Sequence, residues 1–364
     1  MPFDVSDNDL NAQISQDEWL ERSRYWLAEY EASLSKRKRR ERPKEPLVLL
    51  GHGLNIKVYK GRLIIRDGAT HFPSEPREFA FFKGSLELPL RIVVIDGSGS
   101  ITLDAIDWLQ EQNIPLIRIR FDGSQISVMS PSGYSAEPSK VFWQIETRDN
   151  PEERLKFAIE TTRKKLEASV VTLRDYIPEG RFRDAALIAS KDCLQFIEGG
   201  KVQSTSELLG QEGKAASHYW RAWQSVPMQW KSESRFPIPD EWRTYLSRSS
   251  LNTGLKRKNL RASHPINALL NYAYTVLLSQ KRIEAIVAGY DPMIGILHDQ
   301  RHYLKDSTPS FALDLMEPFR PVVDRAVLKL IQERTFSGAD FDLQSDGVVR
   351  VNPNLIKVVT RDLI

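Results

Sequence analysis

The sequence predicts an α+β chain, with a sheet region first and a larger helical region after it. Three observations carry this expectation. Residues 47–135 hold short runs of β-branched and apolar residues punctuated by glycine. Residues 136–335 repeat apolar side chains at three- and four-residue steps. The length of 364 residues, 41% hydrophobic and 27% charged, is enough for about two domains with real cores.

The first 46 residues are polar and charged. Trp19, Trp26 and Tyr30 fall on one helical face. The stretch closes on Lys36-Arg37-Lys38-Arg39-Arg40-Glu41-Arg42, a run that reads as a solvated linker or, less simply, as a phosphate-contacting arm. Strands are expected in LVLLGHGLNIKVYKGRLIIRDG, broken at Gly51, Gly53, Gly61 and the Asp67-Gly68 turn signal, and again at 91–96 and 115–122. Leu103, Ile106 and Leu109 space a short helix between the last two. GSGS at 97–100 lacks the lysine of a phosphate loop and the GxGxxG spacing, and is read as a turn.

Beyond residue 136, Leu155, Ala158, Ile159, Thr162, Leu166, Val170 and Leu173 define one helix. A second runs through Ala186–Phe196 and stops at Gly199-Gly200. A third has the stripe Ile266, Leu269, Leu270, Ala273, Tyr274, Leu277 and Leu278. Pro227, Pro237 and Pro239 interrupt the helices, and Asp346-Gly347 suits a hairpin turn.

Charge and cysteine use exclude several classes. Net charge is only +3, so composition does not announce nucleic acid. Residues 1–135 carry 18 Lys and Arg against 19 Asp and Glu, which leaves 33 against 29 in 136–364 of the totals 51 and 48. An anionic ligand, if one binds, is expected on the C-terminal part, although a net +4 there is also ordinary. The single cysteine, Cys193, excludes an internal disulfide and a multi-cysteine zinc site and fits a reducing, cytoplasmic setting. No secretory leader and no membrane span is expected.

Three segments carry possible chemistry. Glu212 precedes the small residues Ala215, Ala216 and Ser217, where a carboxylate can face a neighbouring helix; a surface glutamate is the simpler reading. His298 follows the apolar run Met293–Leu297, with His302 four residues on, the spacing that puts two histidines on one helix face; a packed structural histidine is the alternative. In PSFALDLMEPFRP, Ser310 is a candidate cap, and Asp314 and Glu317 lie three apart among apolar neighbours. Two acids there are costly unless paired, either with Arg320 or with a cation held jointly with Glu212 and His298.

The run HPINALLNYAYTVLLSQKRIEAIVAGYDPMIGILHDQ followed by PSFALDLMEPFRP resembles the central signature of the CRISPR-associated spacer-acquisition integrase, the adaptation nuclease of CRISPR systems. The Glu212 segment ending in HYW is similar to that family's upstream motif, and IDGSGSITLDAIDWLQEQNIPLIRIRFDG to the end of its β domain. The resemblance spans roughly 47–335. It implies an N-terminal β-sandwich-like domain followed by a larger all-α catalytic domain. Together with the composition it divides the chain into a charged extension (1–46), a β-rich dimerisation domain (47–135) and an α-helical nuclease and integrase domain (136–364). It also implies a homodimer, assembly with a small second adaptation protein, and a DNA substrate.

By matching motifs, the resemblance gives Glu212, His298 and Glu317 as ligands of Mg²⁺ or Mn²⁺, with Asp314 beside them in the catalytic set. The reaction implied is attack of a fragment's 3′-hydroxyl on a phosphodiester of the CRISPR repeat, with water as nucleophile giving endonuclease activity. Lys256, Arg257, Lys258 and Arg261, just ahead of Asn267, are candidate phosphate contacts; a solvated charge run is their other reading. A related transposon-encoded integrase and a non-catalytic DNA-binding scaffold are the competing functions.

Overall fold

The computed structural model describes residues 7–33, 46–69, 76–119, 126–129, 136–248, 262–298 and 309–361. Helix α1 (Asp7–Ser33) is followed by strands β1 (Leu47–Tyr59), β2 (Arg62–Arg66), β3 (Glu78–Phe81) and β4 (Ile92–Ile101). Helix α2 (Leu103–Glu111) leads to β5 (Leu116–Ile119) and β6 (Ile126–Met129). These form one six-stranded sheet in the order β3-β2-β1-β4-β5-β6. The β1–β4 and β4–β5 pairs are parallel and the others antiparallel.

The central strands β1, β4 and β5 carry buried residues that join two separate cores. Leu49, Leu54, Ile56, Ile92 and Val94 pack with Trp108 and Leu109 of α2, whereas Val48, Leu50, Val93, Ile95 and Ile117 join the main helical core. Side chains alternate along a strand, so an odd residue such as Leu49 and an even one such as Leu54 should point opposite ways. Register shifts between Leu50 and His52 and between His52 and Leu54 restore the match. The glycines at 51 and 53, expected to break the strand, are irregularities inside β1, both with positive φ (86° and 78°). The β1–β2 turn falls at Lys60-Gly61, whose φ values are 50° and 75°. Asp67-Gly68 lies past β2, and the Asp67 carboxylate there accepts the Leu50 amide at 2.8 Å. GSGS is strand, not turn. A Cβ on Gly99 would lie 1.9 Å from the Leu54 carbonyl oxygen, so its glycine permits close approach of β1 and β4.

The helical region contains α3 (Pro138–Asp149), α4 (Pro151–Tyr176), α5 (Arg181–Glu198), α6 (Thr205–Ala222), strand β7 (Gln229–Trp230) and α7 (Pro265–Val287). It continues with α8 (Ser310–Met316), α9 (Arg320–Glu333), β8 (Thr335–Phe336), the hairpin β9 (Phe341–Leu343) and β10 (Val349–Val351), and α10 (Pro353–Arg361). The helix starts are chemically set. Asn150 caps α4 from its side chain with Pro151 behind it, and Ser204 caps α6 through the Glu207 amide. Helix α7 begins at a His264 cap and Pro265, and it is buried on nearly every side, from Ile266 to Ala285. That makes it the central rod on which α8, α9 and α10 pack. Ser310 does not cap α8; the cap position is Pro309, and Ser310 is the first helical residue and buried. The Asp346-Gly347 hairpin is present, with Gly347 at φ 78°.

Helix α1 belongs to the main core. Trp26 is fully buried and packs against Phe336 with their ring centres 5.7 Å apart. Arg22 donates from Nε and Nη2 to the two oxygens of buried Asp340 at 2.7 and 2.9 Å, and Trp26 Nε1 adds a third bond at 2.8 Å. Lys357 of α10 pairs with Asp67 at 3.1 Å, joining the C-terminal helix to the sheet. A Trp26→Phe variant keeps most of the volume but leaves Asp340 one donor short. Its stability is expected to fall by about 1–2 kcal/mol in urea unfolding, and no change would show that the indole bond is immaterial.

Candidate active site

The site is built around one cleft of about 70 Å³ lined by residues of α4, α5, α6, α7 and α9, among them Lys165, Glu212, Tyr219, Tyr274 and Arg320. Glu212 projects from α6 and Glu317 from the one-turn helix 317–319 between α8 and α9. Although 105 positions apart, their carboxylates meet on the ammonium of Lys165 from α4, at 2.9 Å from Glu212 Oε1 and 2.6 Å from Glu317 Oε2. The other Glu317 oxygen pairs with Arg320 Nε at 2.8 Å. Burial alone raises the Glu317 carboxyl, but Arg320 and then Lys165, with His298 behind them, hold it down at about 2. It is an anion at every working pH.

His298 stands at the end of a non-helical segment after α7, and His302, the other histidine of the expected pair, lies outside the described residues. Asp314 fixes the segment. Its side chain is fully enclosed, and its oxygens accept the amides of Ile296, Leu297 and His298 at 2.6, 3.1 and 3.0 Å, and contact His298 Nδ1 at 2.6 Å. Three consecutive N–H groups wrapped on one carboxylate neutralise its burial. Asp314 is thus spent on holding His298 rather than facing the cleft. Gly295 allows the turn, because a Cβ there would lie 2.5 Å from the His298 carbonyl oxygen. From the other side, Gln144 of α3, fully buried, donates to the carbonyls of Asp291 and Ile294 and accepts the Asp291 amide. Arg154 of α4 reaches the Leu297 carbonyl at 3.3 Å.

With Nδ1 held by a carboxylate, Nε2 is the imidazole nitrogen left for a ligand, an arrangement common to metal-binding histidines. Among the described residues, no three His, Cys, Asp or Glu side chains are drawn tightly enough to grip a metal ion. Glu212 and Glu317 grip a cation nevertheless, the lysine ammonium. Two carboxylates on one positive centre, with a carboxylate-backed imidazole whose charge is felt by Glu317, fit a hard or borderline divalent ion. Cys193 is no ligand candidate, since burial pushes its thiol up to about 11.

Asp324 lies deeper, accepting the hydroxyls of Tyr219 at 2.7 Å and Tyr274 at 2.5 Å. Burial pushes its carboxyl up to about 6 despite those bonds. The protonated form is favoured in the fold, so the Asp324 contribution is full below its usual 3.8 and is lost as pH rises through about 6. His264 runs the other way: burial lowers it to about 4, so its contribution is present above 6.5 and lost as pH falls. Between about pH 4 and 6 the two oppose each other. An Asp324→Asn variant is therefore expected to gain stability with pH more steeply than wild type over that range. Urea midpoints at several pH values measure this, and parallel curves would refute it.

No sequence pattern singles out Lys165, Gln144 or Asp324. Lys165 has one signal: it falls among Thr161, Thr162, Ser169 and Thr172, the small polar residues buried on the inner face of α4. Lys256, Arg257, Lys258 and Arg261 lie outside the described residues. On either side of them, Arg248 is held by Asn271 of α7 at 2.7 Å, and Ala262 is buried in the core.

The chain is similar to known proteins along most of its length. The family model described as CRISPR associated protein Cas1 matches residues 49–363. The chain is 28% identical over 334 residues to the CRISPR-associated endonuclease Cas1 1 of Archaeoglobus fulgidus, with 87% of each chain covered. Among solved structures it is similar to a casposase bound to integration product, with TM-score 0.65, 28% identity, and 88% of this chain and 81% of that one covered. A Cas1 protein from Thermotoga maritima shares the fold, with TM-score 0.60 at 19% identity over 87% of this chain and 88% of that one.

Proposed function

The chain belongs to the CRISPR associated protein Cas1 family, whose members are DNA endonucleases and integrases, and we propose that it inserts short DNA fragments into a CRISPR array by attack of a fragment's 3′-hydroxyl on a repeat phosphodiester. The observation that carries this reading is the meeting of Glu212 and Glu317 on one cation in a cleft beside His298. The similarity to a casposase bound to integration product supports strand transfer as the chemistry.

Glu212, Glu317 and His298 Nε2 would hold Mg²⁺ or Mn²⁺. The imidazole favours Mn²⁺ at least as well as Mg²⁺, which prefers oxygen. When bound, the ion lowers the pKa of the attacking hydroxyl and neutralises charge gathering on phosphorus. The chain's own residues set the stage for this. Asp314 keeps Nδ1 engaged, so the imidazole offers Nε2 in a fixed direction. Arg320 keeps Glu317 ionised and pairs with its Oε1. The exchange balances without a redox partner: one P–O bond forms to the fragment as another, to the repeat strand's 3′-oxygen, breaks.

Homodimerisation through the sheet region, assembly with a small second adaptation protein, and a cytoplasmic location complete the reading. Among the described residues no helix is long and apolar enough to cross a membrane. The test is joining of a labelled fragment to a repeat-bearing duplex in Mn²⁺. Product is expected with a 3′-hydroxyl fragment and none with a 3′-deoxy fragment; equal product from both would overturn the mechanism.

Incoming DNA of any sequence must be accepted, so protein groups reach phosphates rather than base edges. Lys256, Arg257, Lys258 and Arg261 are proposed for part of that surface. Each phosphate that is no longer neutralised by a side chain should flatten the plot of log affinity against log salt by about 0.9 on duplex DNA. The quadruple alanine variant is expected to show a reduced slope, and an unchanged slope would put the DNA path elsewhere.

A further inference from the structure

We propose that Lys165 is a resident counter-cation of the metal centre: its ammonium stands where a divalent ion would sit, and the ion has to displace it to bind. The inference rests on the reading of Glu212, Glu317 and His298 as metal ligands. Three elements meet at the ammonium. Glu212 comes from α6, Glu317 from the turn before α9, and Lys165 from α4. Without a cation between them, two carboxylates at this spacing would repel across a partly dry cleft. Lys165 takes the Glu317 oxygen that Arg320 leaves open, Oε2 rather than Oε1. A metal needs that same oxygen.

The residue type suits a placeholder. An arginine would fork both carboxylates and be hard to remove, whereas an ammonium is a point charge on a flexible stem. Its side chain is 24% exposed and borders the cleft, so it has somewhere to go. Charge then gives selectivity. Exchanging Lys165 for Na⁺ or K⁺ trades one unit charge for another at no gain, and a divalent ion adds one. The cost is a lower affinity for the divalent ion than the bare carboxylates would show. The gain is a site that is assembled and electrically compensated before metal arrives.

The experiment is Mn²⁺ binding to the purified full chain, by calorimetry and by the electron spin resonance of free Mn²⁺, for wild type, Lys165→Met, Lys165→Arg and Glu317→Gln. Methionine keeps the stem and removes the charge. Lys165→Met is expected to bind Mn²⁺ about tenfold more tightly, about 1.4 kcal/mol, and Lys165→Arg more weakly than wild type. In chelator, Lys165→Met should unfold at a lower temperature than wild type, and Mn²⁺ should restore more of its stability. If Lys165→Met fails to fold by circular dichroism, Lys165→Gln is measured in its place. Equal or weaker Mn²⁺ binding by the uncharged variant, with binding abolished in Glu317→Gln, would overturn the counter-cation and leave the metal site standing. Mn²⁺ binding by Glu317→Gln as tight as wild type would overturn both.

Discussion

A His298→Ala variant is expected to lose strand transfer by about a thousandfold while keeping its fold. The figure follows from removing one of the three proposed ligands: several kcal/mol of charge stabilisation at the reacting phosphate, with about 4 kcal/mol equal to three decades in rate. Folding is little affected because the ring is 40% exposed, so little apolar packing goes with it. The measurement is joined product per unit time in saturating Mn²⁺, beside a thermal unfolding curve. Wild-type rates would remove His298 from the centre. A large drop in unfolding temperature would instead assign it a structural task.

Asp314 divides those two tasks differently. Asp314→Ala should cost about 3–5 kcal/mol of stability, since three backbone amides and one imidazole lose their acceptor at once in a site with no exposure. It should also abolish strand transfer, because the His298 ring is then free to turn. Asp314→Asn retains shape and one acceptor oxygen but sets an amide N–H₂ against donors, so an intermediate stability loss is expected. Denaturant midpoints rank the three proteins. A loss below about 1 kcal/mol in the alanine variant would mean that the amides find other partners.

The helices are legible wherever one face meets the core. The stripes of α4, α5 and α7 appear in the sequence because burial demands apolar residues at helical spacing, and the proline-rich break near 227–240 is visible for the opposite reason. Glycine is less legible. Gly97 and Gly99 stand in β4 because a neighbouring strand passes too near for any Cβ, and a sequence signals such approach and a turn with the same letter. Glu212 and Glu317 are visible as acids among small or apolar neighbours. The roles inside the cluster are not. Asp314 and Glu317 lie three apart on one chain segment, yet one is enclosed by backbone amides and the other meets Lys165. That difference is set by a loop from residue 291 onward and by a helix 152 positions upstream of Glu317, which no local pattern encodes.

The bond between Arg22 and Asp340 spans 318 positions of chain. A ribosome adding roughly 5–20 residues per second needs about 15–60 seconds to cover that span. During that interval the Trp26 face of the first helix has no partner from residues 335–340. The nascent chain must carry an exposed indole and an unpaired guanidinium for most of its synthesis. High separation between contacting residues also slows folding. The N-terminal helix is therefore expected to dock last, which makes it the segment where a holdase would engage the newborn protein.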